Sequence, residues 1–349
     1  MPEGRARIAV LGAGWWAAHV YIPELLKHPD AELVAVSRLG AAELARVQAE
    51  FGIARGYEDF RELLAAERPD GVGIASPHVV HHAMAKAALE AGCHVLVDKP
   101  MTTSAGDARE LVALADGKGL GIIIPHGWNF KDFSRRAMAL MAEGAVGEVR
   151  HVVCQMASPT RDLFAGEGLA ETQGHMFRPP VSTWADPAQA GGYGWGQLSH
   201  ALGLMFALVD LPPAEVMAFQ GASPAGVDWY DAAILRFANG ATGVLSGSST
   251  VPKQAGYQLD IRIFGTEGML LVDVERERME LRRDDGADEV MDVPRGAGAY
   301  DCAEPVARLV ELCRGTARMN EAPGLVGMRA VEVLDALYRS ARSGRAETC

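Results

Sequence analysis

The chain has 349 residues, of which 49% are hydrophobic and 22% charged, enough for two hydrophobic cores. Its formal net charge of -12 argues against a nucleic-acid partner, because phosphate binding requires a basic face. No apolar run approaches the roughly 18 residues of a membrane span, and the start lacks the apolar core of a secretion signal. Five scattered cysteines indicate neither a disulfide framework nor a zinc site. We therefore expect a cytoplasmic, two-domain protein without nucleic-acid or membrane partners.

In the first third of the chain, short apolar runs alternate with amphipathic segments. The apolar runs predict strands at Ile8–Leu11, Leu33–Val36, Val72–Ala75, His94–Val97 and Gly121–Ile124. The segments between them have helical spacing and start near Trp15, Ala41, Glu58, Val79 and Ser104, the last with Ser104 as N-cap. This alternation predicts a doubly wound parallel sheet over residues 1–125.

After Pro125 the pattern changes to one helix followed by long strands. We predict the helix at about Phe133–Glu143 and strands at Val149–Met156, Ala232–Phe237, Thr242–Ser248 and Gln258–Phe264. Asn239-Gly240 is a strong hairpin signal, and the Gly/Pro-rich stretch from Arg178 to Gly196 predicts a loop. Residues 126–349 should form an α+β domain with a large, mainly antiparallel open sheet. A helix over about 325–342 is a candidate to pack back on the first domain.

A glycine loop follows the first predicted strand. Gly12-Ala13-Gly14-Trp15-Trp16-Ala17 has the pattern G-x-G-x-x-A at the start of a helix. Gly12 permits a tight turn and Gly14 lets the backbone approach a pyrophosphate, while the helix start at Trp15 and Trp16 supplies N–H groups for the phosphates. Because two glycines alone are a weak signal, the prediction of a dinucleotide site depends on this position after the first strand.

The end of the second predicted strand bears on the choice of dinucleotide. Sites that prefer NAD carry Asp or Glu there, which accepts hydrogen bonds from the ribose hydroxyls. Here Ser37 and Arg38 stand instead. Arg38 could pair with the 2′-phosphate of NADP and Ser37 could bond to it, which tilts the expectation towards NADP over NAD. The alternative is that Arg38 is a solvated surface residue.

A lysine follows the fourth predicted strand in Val95-Leu96-Val97-Asp98-Lys99-Pro100. Ligands of such sheets bind beyond the carboxyl ends of the strands. Moving a hydride between a carbinol and a nicotinamide also moves a hydroxyl proton, and a partly desolvated lysine can exchange it. Lys99 is therefore a candidate acid/base, against the alternative of a lysine that merely reaches solvent from a strand end.

Together with Gly12-Ala13-Gly14, Ser76-Pro77 and His81, this lysine stretch resembles the Gfo/Idh/MocA family of glucose–fructose oxidoreductase, inositol dehydrogenase and rhizopine-catabolism proteins. The resemblance covers nearly the whole chain. It implies a Rossmann domain, a second domain whose open sheet commonly forms a dimer interface, and a lysine that contacts nicotinamide ribose and substrate. Lys99 matches that lysine and Asp98 stands where the family usually has Glu. Ser76, Pro77, His81 and Asp98 are then expected near the cofactor.

The resemblance also extends to Gly191-Gly192-Tyr193-Gly194-Trp195-Gly196-Gln197-Leu198-Ser199-His200. The family typically has Asp three residues before the His, whereas Gln197 stands there and cannot take a proton. We therefore expect Lys99 and His200 to be catalytic and Gln197 to orient a substrate hydroxyl. If the stretch opens a helix, positions 197 and 200 share a face. Further candidates for a polar substrate pocket, with core packing as the alternative for each aromatic residue, are Trp128, Asn129, Arg178, Trp184 and Tyr193.

His78, His81 and His82 have spacings that would suit a metal. We expect no metal there, because no carboxylate or cysteine accompanies them in sequence.

These features predict an NAD(P)-dependent oxidoreductase acting on a hydroxyl or ketone of a sugar, polyol, glycoside or related cyclic alcohol. One alternative is an enzyme that retains its dinucleotide and uses transient oxidation for elimination or glycoside cleavage, and Gln197 keeps it open. Another is a non-catalytic dinucleotide-binding protein. Apolar residues in the second-domain strands are too many for one face, which predicts a homodimer or homotetramer. They include Ile234, Leu235, Val244, Leu245, Leu259 and Ile261.

Overall fold

The computed structural model describes residues 4–317 and 319–349. Internal contacts divide the chain into two compact units. The first contains residues 4–127, Gly168–Pro180 and Asp301–Met328, and the second contains Trp128–Glu167, Val181–Tyr300 and Arg329–Cys349. Two segments that follow the predicted boundary at 125/126 in sequence thus group with the first unit, and the boundary itself stays a prediction.

The first unit is built on six parallel strands in the order β3-β2-β1-β4-β5-β6. They are β1 (Ala6–Leu11), β2 (Ala31–Ser37), β3 (Gly56–Tyr57), β4 (Gly71–Ile74), β5 (His94–Val97) and β6 (Ile122–Ile123). The helices between them are α1 (Ile22–Lys27), α2 (Ala41–Phe51), α3 (Phe60–Glu67), α4 (His81–Glu90) and α5 (Ala105–Lys118). A π-helical turn (Ala17–Tyr21) precedes α1, and a 3₁₀ turn (His78–Val80) precedes α4. This strand order is that of a doubly wound dinucleotide-binding sheet, which confirms the predicted fold.

The predicted strands of the first unit are all present, because each contains a short apolar run, and in β4 both faces of the strand are buried. The side chain of Ser104 accepts a hydrogen bond from Asp107 N–H, which confirms the predicted N-cap of α5. The short β3 was not predicted, since its two residues carry no periodicity.

The second unit is built on nine strands in the order β14-β13-β12-β11-β7-β10-β9-β8-β15, antiparallel except for the parallel pair β7 and β10. The strands are β7 (Val149–Ala157), β8 (Pro213–Ala222), β9 (Asp228–Phe237), β10 (Thr242–Ser248), β11 (Gln258–Gly265), β12 (Gly268–Asp273), β13 (Arg278–Arg283), β14 (Glu289–Asp292) and β15 (Glu347–Thr348). The predicted α+β class with a mainly antiparallel open sheet is confirmed, as is the hairpin at Asn239-Gly240 between β9 and β10.

The remaining helices are α6 (Asp132–Ala142), α7 (Arg161–Phe164), α8 (Val181–Ala185), α9 (Ser199–Leu208), α10 (Ala303–Arg314) and α11 (Gly324–Ser343). A π-helical turn (Gly194–Leu198) leads directly into α9, and 3₁₀ turns form at Gly127–Phe130, Ala170–Thr172, Pro187–Gln189 and Lys253–Ala255. The prediction of a loop from Arg178 to Gly196 was therefore wrong in part, because α8 and the π turn lie within that stretch. Within the described residues, no helix combines the length and the apolar character needed to cross a membrane.

Candidate active site

The glycine loop of the first unit lies at the carboxyl ends of β1 and β4. Gly12 has φ +79, and a Cβ there would come within 3.0 Å of Ser76 Cβ and 3.1 Å of the Ala75 carbonyl oxygen. Only glycine fits this turn. Gly14 accepts a hydrogen bond from Ala18 N–H at 3.0 Å, which opens the helical segment directly after the loop. The loop therefore has the backbone geometry that receives a pyrophosphate at a helix start.

Arg38 follows β2 directly and contacts the glycine loop at the same edge of the sheet. Its Nη1 donates to the Ala13 carbonyl at 3.0 Å. Its buried Nε–H has no hydrogen-bond partner among the residues that the structure describes, and the same is true of the Ser76 hydroxyl. Unsatisfied polar groups of this kind cost about 1–3 kcal/mol each, so they fit a ligand with acceptor oxygens. The residues present thus suit a dinucleotide.

Lys99 is buried directly after β5. Burial lowers the pKa of its ammonium, while the neighbouring Asp98 and Cys302 act in the opposite direction. Asp98 Oδ1 accepts a hydrogen bond from Lys99 N–H at 2.8 Å, and burial raises the pKa of this carboxyl against the charge of Lys99. The Lys99–Pro100 peptide bond is cis. Lys99 is therefore a desolvated amine that can change its charge more readily than a lysine in water.

His81 connects the segments that follow β4 and β5. Its ring is fully buried, and its nitrogens lie 2.8 Å from the carbonyl oxygens of Ser76 and Pro100. Whichever nitrogen carries the proton donates to one of these oxygens. Through these contacts His81 supports the turns that contain Ser76 and Lys99. A contact between His81 and the cofactor stays a prediction.

His126 was missed by the sequence analysis. It follows β6 in the way that Lys99 follows β5, and it is buried. Burial, reinforced by the positive charge of Lys99, lowers the pKa of His126 to about 3. The imidazole is therefore neutral at pH 7 beside the candidate acid/base. Its position one residue after Pro125, at a strand end of the doubly wound sheet, was the available signal.

In the second unit, the glycine run of residues 191–196 packs against the buried Asp228 and the half-buried Tyr338. Gly192 has φ +119, and a Cβ there would overlap Asp228 Oδ1, while a Cβ on Gly194 would lie 2.8 Å from the Tyr338 hydroxyl. Gly194 N–H donates to Asp228 Oδ2 at 2.7 Å, and Tyr338 donates to Asp228 Oδ1 at 2.6 Å. Close backbone approach therefore explains the glycines. The carboxylate of Asp228 fixes the start of the π turn.

Asp228 forms a carboxyl pair with Asp231, and both are buried. Burial and the charge of Asp228 raise the pKa of Asp231 well above its usual range, and burial also raises that of Asp228. Gln220 donates to Asp231 Oδ1 at 2.8 Å. Two carboxylates in such a site cannot both ionise, so the pair holds a proton. Neither residue was named from the sequence, since each reads as an ordinary strand residue.

Gln197 lies on the π turn and His200 in the first turn of α9, so the stretch does open a helix, and both side chains are buried. The His200 ring meets Trp128 and Tyr300 edge to face, at centroid distances of 5.7 and 5.0 Å. Trp128 also contacts Tyr300 at 5.0 Å and Tyr257 at 5.9 Å. We call Trp128, His200, Tyr257 and Tyr300 the aromatic cluster. The two tyrosines were not predicted, because they lie in segments without regular structure, far from Trp128 in sequence.

Three other predicted pocket residues have supporting contacts. Asn129 is buried and donates to a carbonyl within α9 at 3.1 Å. Tyr193 is fully buried, and its hydroxyl bonds with that of Ser158 at 3.1 Å. Trp184 packs edge to face on Phe164 at 6.2 Å. These contacts support the glycine run and α9, and the predicted substrate contacts of Asn129, Tyr193 and Trp184 stay predictions.

Arg178 belongs to the first unit. Its Nη2 donates to the Leu169 carbonyl at 2.9 Å and its Nε to the Thr172 hydroxyl at 3.3 Å. Arg178 therefore links the two ends of the segment 168–180 by hydrogen bonds, and its predicted contact with the substrate stays a prediction.

The reason given for expecting no metal at His82 needs correction. Glu110 of α5 lies 2.7 Å from His82 Nε2 and Asp107 lies 3.9 Å from Nδ1, so carboxylates do accompany this histidine. Lys86 Nζ contacts the same Glu110 at 2.6 Å. The ammonium of Lys86 thus pairs with the Glu110 carboxylate, and together with His82 they form a surface ion-pair network. The expectation of no metal stays a prediction.

A doubly wound unit with a strand-end glycine loop, a buried lysine and a separate α+β unit defines a dinucleotide-binding protein of oxidoreductase type. Two family models match the chain. One is described as "Oxidoreductase family, NAD-binding Rossmann fold" and covers residues 6–126, and the other is the "GFO/IDH/MocA C-terminal domain" over residues 134–271. The chain belongs to the Gfo/Idh/MocA family, which confirms the resemblance.

Individual relatives agree with this assignment. The chain is 34% identical to dTDP-3,4-didehydro-2,6-dideoxy-alpha-D-glucose 3-reductase of Streptomyces antibioticus over 46% of this chain and 49% of that protein. It is 25% identical to the scyllo-inositol 2-dehydrogenase (NADP(+)) of Bacillus subtilis over 87% of this chain and 88% of that one. The chain matches about half the length of the first curated relatives. An inositol dehydrogenase homologue from Azotobacter vinelandii, solved with NAD+, shares the fold at TM-score 0.80 and 20% identity, over 99% and 98% of the two chains.

Proposed function

We propose that the protein is an NAD(P)-dependent oxidoreductase that moves a hydride between nicotinamide and a hydroxyl or ketone of a sugar, polyol, glycoside or related cyclic alcohol. The observation that carries this proposal is the buried Lys99, with its lowered pKa, at the strand ends of a dinucleotide-binding sheet. The activities of relatives, among them a D-glucoside 3-dehydrogenase and a D-xylose 1-dehydrogenase, support the substrate class.

The chemistry assigned to Lys99 concerns the proton. When bound, the nicotinamide supplies the hydride acceptor or donor. In oxidation, the neutral Lys99 amine takes the substrate hydroxyl proton at Nζ, and in reduction its ammonium returns a proton to the carbonyl oxygen. The carboxylate of Asp98 favours the ammonium and burial favours the amine, so the two effects keep both forms accessible. His126 stays neutral beside it and adds no competing positive charge.

The second unit supplies substrate recognition. Aromatic faces bind the apolar faces of sugar rings, and the aromatic cluster offers several such rings around His200. Gln197 offers both an amide donor and an amide acceptor for a hydroxyl, with no capacity to ionise. We assign Gln197 to substrate orientation, and His200 to the catalytic residues together with Lys99.

For the dinucleotide, we propose NADP over NAD. An unpartnered Arg38 Nε–H beside the glycine loop supports this choice, because a 2′-phosphate would satisfy it with a charge-assisted hydrogen bond. One bidentate contact of this kind contributes on the order of 1.5–3 kcal/mol. The cytoplasmic location expected from the sequence stays a prediction.

A second candidate function is elimination or glycoside cleavage through transient oxidation with a retained dinucleotide. The specific observation in its favour is Gln197, which replaces the Asp that the family usually places there. Under this alternative the cofactor returns to its starting state in every turnover.

We also propose a homodimer or homotetramer formed through the outer face of the nine-stranded sheet. The apolar residues of the strands divide between two faces. Leu235, Leu245, Leu259 and Ile261 are buried, whereas Ile234 is 63% and Phe219 69% exposed. Exposed apolar side chains on one sheet face favour burial against a symmetric copy. Light scattering at micromolar concentration should give at least the dimer mass, and a monomeric mass would oppose the proposal.

The proposed function is tested by mass spectrometry of small molecules released from the purified protein, followed by a screen of sugars and polyols with the dinucleotide found. Net formation of reduced nicotinamide with at least one polyol or sugar supports it. Product formation without net cofactor reduction supports the second candidate. Absence of any bound or binding dinucleotide would overturn both.

A further inference from the structure

Residues 168–180 form a strap over the dinucleotide-binding edge of the first unit, although the chain enters and leaves this segment from the second unit. The strap contacts the glycine-loop helix through His175, whose Nδ1 accepts a hydrogen bond from Trp15 Nε1 at 2.8 Å. The ring of His175 also stacks on His19 with centroids 3.9 Å apart. These contacts fix the strap beside the loop that would hold the pyrophosphate.

The strap places the aromatic ring of Phe177 against two arginines. Arg38 Cζ lies 3.9 Å from the centroid of Phe177, and Arg46 Cζ of α2 lies 5.3 Å from it. Both distances are within the range of cation–π attraction. Burial lowers the pKa of Arg38, Glu43 acts in the opposite direction, and Arg46 lowers the pKa further. Two guanidinium groups thus lie within cation–π distance of one ring.

An arginine pair of this kind is suited to a phosphate monoester. Such a group carries a charge between -1.5 and -2 at pH 7 and three acceptor oxygens, and planar guanidinium groups bind phosphate with two parallel hydrogen bonds. The unpartnered Nε–H of Arg38 supplies an available donor. Phe177 restricts the orientation of the Arg38 plane, because the guanidinium stacks on its face. A fixed plane loses less side-chain entropy when the phosphate binds.

We propose that Phe177 is a specificity-determining residue that orients Arg38 and Arg46 for the 2′-phosphate of a dinucleotide. It acts through the two arginines and is therefore a positioning residue. The inference rests on the proposed function, since it requires that the first unit binds a nicotinamide dinucleotide. It goes further by assigning cofactor choice to a strap that comes from the second half of the sequence and to a second arginine, Arg46.

The test compares Phe177→Leu, which removes the ring, with Phe177→Tyr, which keeps it. Binding of NADPH and of NADH to each purified protein is measured by calorimetry, with adenosine 2′-monophosphate as a third probe that contains the phosphate but no nicotinamide. Loss of one cation–π contact of about 0.5–1.4 kcal/mol corresponds to a loss of about two- to tenfold in affinity. Phe177→Leu should lose this factor for NADPH and adenosine 2′-monophosphate while NADH affinity stays within about twofold. Phe177→Tyr should resemble the wild type.

Arg46→Ala provides an independent variant at an exposed position, and it should also weaken NADPH selectively. An equal loss of NADPH and NADH affinity in Phe177→Leu would show that the ring only supports the fold, and unchanged affinities would remove it from the site. Either result overturns the inference and leaves the proposed function standing. Wild-type protein that binds neither dinucleotide would instead overturn the proposed function, and this inference with it.

Discussion

The two units carry their candidate functional residues in different ways. In the first unit, the glycine loop, Ser76, Lys99 and His126 each follow a parallel strand, so the topology of the sheet alone brings them to one edge. In the second unit, Gln197 and His200 lie on one continuous helical stretch. That stretch depends on side chains from β9 and α11, which approach its glycines from positions distant in sequence.

This difference determines whether a substitution in each unit mainly affects the chemistry or the stability of the fold. A strand-end site is held by the main-chain hydrogen bonds of the whole sheet, so that replacing one side chain changes chemistry more than structure. A glycine run held by Asp228 and Tyr338 depends on a few buried polar contacts. Loss of one partner there leaves the others unsatisfied in a buried setting, which is costly.

The largest effect is expected from Lys99→Met in the first unit. Removal of the proton-exchanging group should lower turnover by roughly 10²–10⁴, the usual contribution of a positioned acid/base, while affinity for the dinucleotide changes far less. Steady-state kinetics and calorimetry on the same preparation check both. If turnover stays near that of the wild type with a confirmed substrate, another group carries the proton.

In the second unit, we expect the largest loss of stability from Gly192→Ala. Its φ of +119 strains any L side chain by about 1–3 kcal/mol, and overlap of the new Cβ with Asp228 adds a similar cost of about 1–3 kcal/mol. Urea unfolding should show the combined loss in the free energy of unfolding. Gly117→Ala in α5 is the matched control, because its Cβ would meet nothing within 4 Å, and helix propensity predicts a small gain of up to about 1 kcal/mol. Equal stability of the two variants would contradict the close approach at Gly192.

A pH effect is expected from the carboxyl pair. Because the pKa of Asp231 is raised on folding, the folded state binds more protons than the unfolded chain above the ordinary Asp pKa of about 3.9. Wild-type stability should therefore fall as pH rises from that value towards the raised pKa, by at most about 1.4 kcal/mol per pH unit for one proton. In Asp231→Asn this slope should become smaller, as read from urea unfolding at a series of pH values. An unchanged slope would mean that Asp231 does not hold the proton.

The smallest effect is expected from Gln197→Ala. Loss of one neutral hydrogen bond to substrate corresponds to about 0.5–1.5 kcal/mol, so KM should rise by up to about tenfold while kcat changes little. The pH–rate profile should keep the shape of the wild type, since Gln197 does not titrate. A large fall in kcat together with an altered profile would place Gln197 in the chemical step.

Much of the first unit could be predicted because its information is local. The strand at His94–Val97 and the cap at Ser104 follow from apolar runs and side-chain chemistry within a few residues. The loop at Gly12 is likewise encoded by glycines in fixed register with a strand. His126 escaped notice because a single histidine after a short strand has no motif of its own.

The second unit was less predictable because its information is distant. Its glycine run indicates a loop when read alone, yet Asp228 accepts from Gly194 N–H and supports a π turn there. The pairing of the Phe177 ring with Arg38 joins residues more than a hundred positions apart, which no local pattern reveals. Strands β8 and β12 to β15 were not predicted. In β13 the burial does alternate, but only Met279 and Leu281 are apolar among four charged residues, which is a weak apolar signal.

The most direct test of the proposed oxidoreductase activity follows the hydride itself. A substrate found in the screen is prepared with deuterium on the carbinol carbon and incubated with the protein and a stoichiometric amount of oxidised dinucleotide. We expect deuterium on the nicotinamide ring of the accumulated reduced cofactor, in equal amount to the ketone formed, and with Lys99→Met the same accumulation slowed by roughly 10²–10⁴. Deuterium that returns to the product without net reduction of the cofactor would contradict a dehydrogenase and support transient oxidation instead.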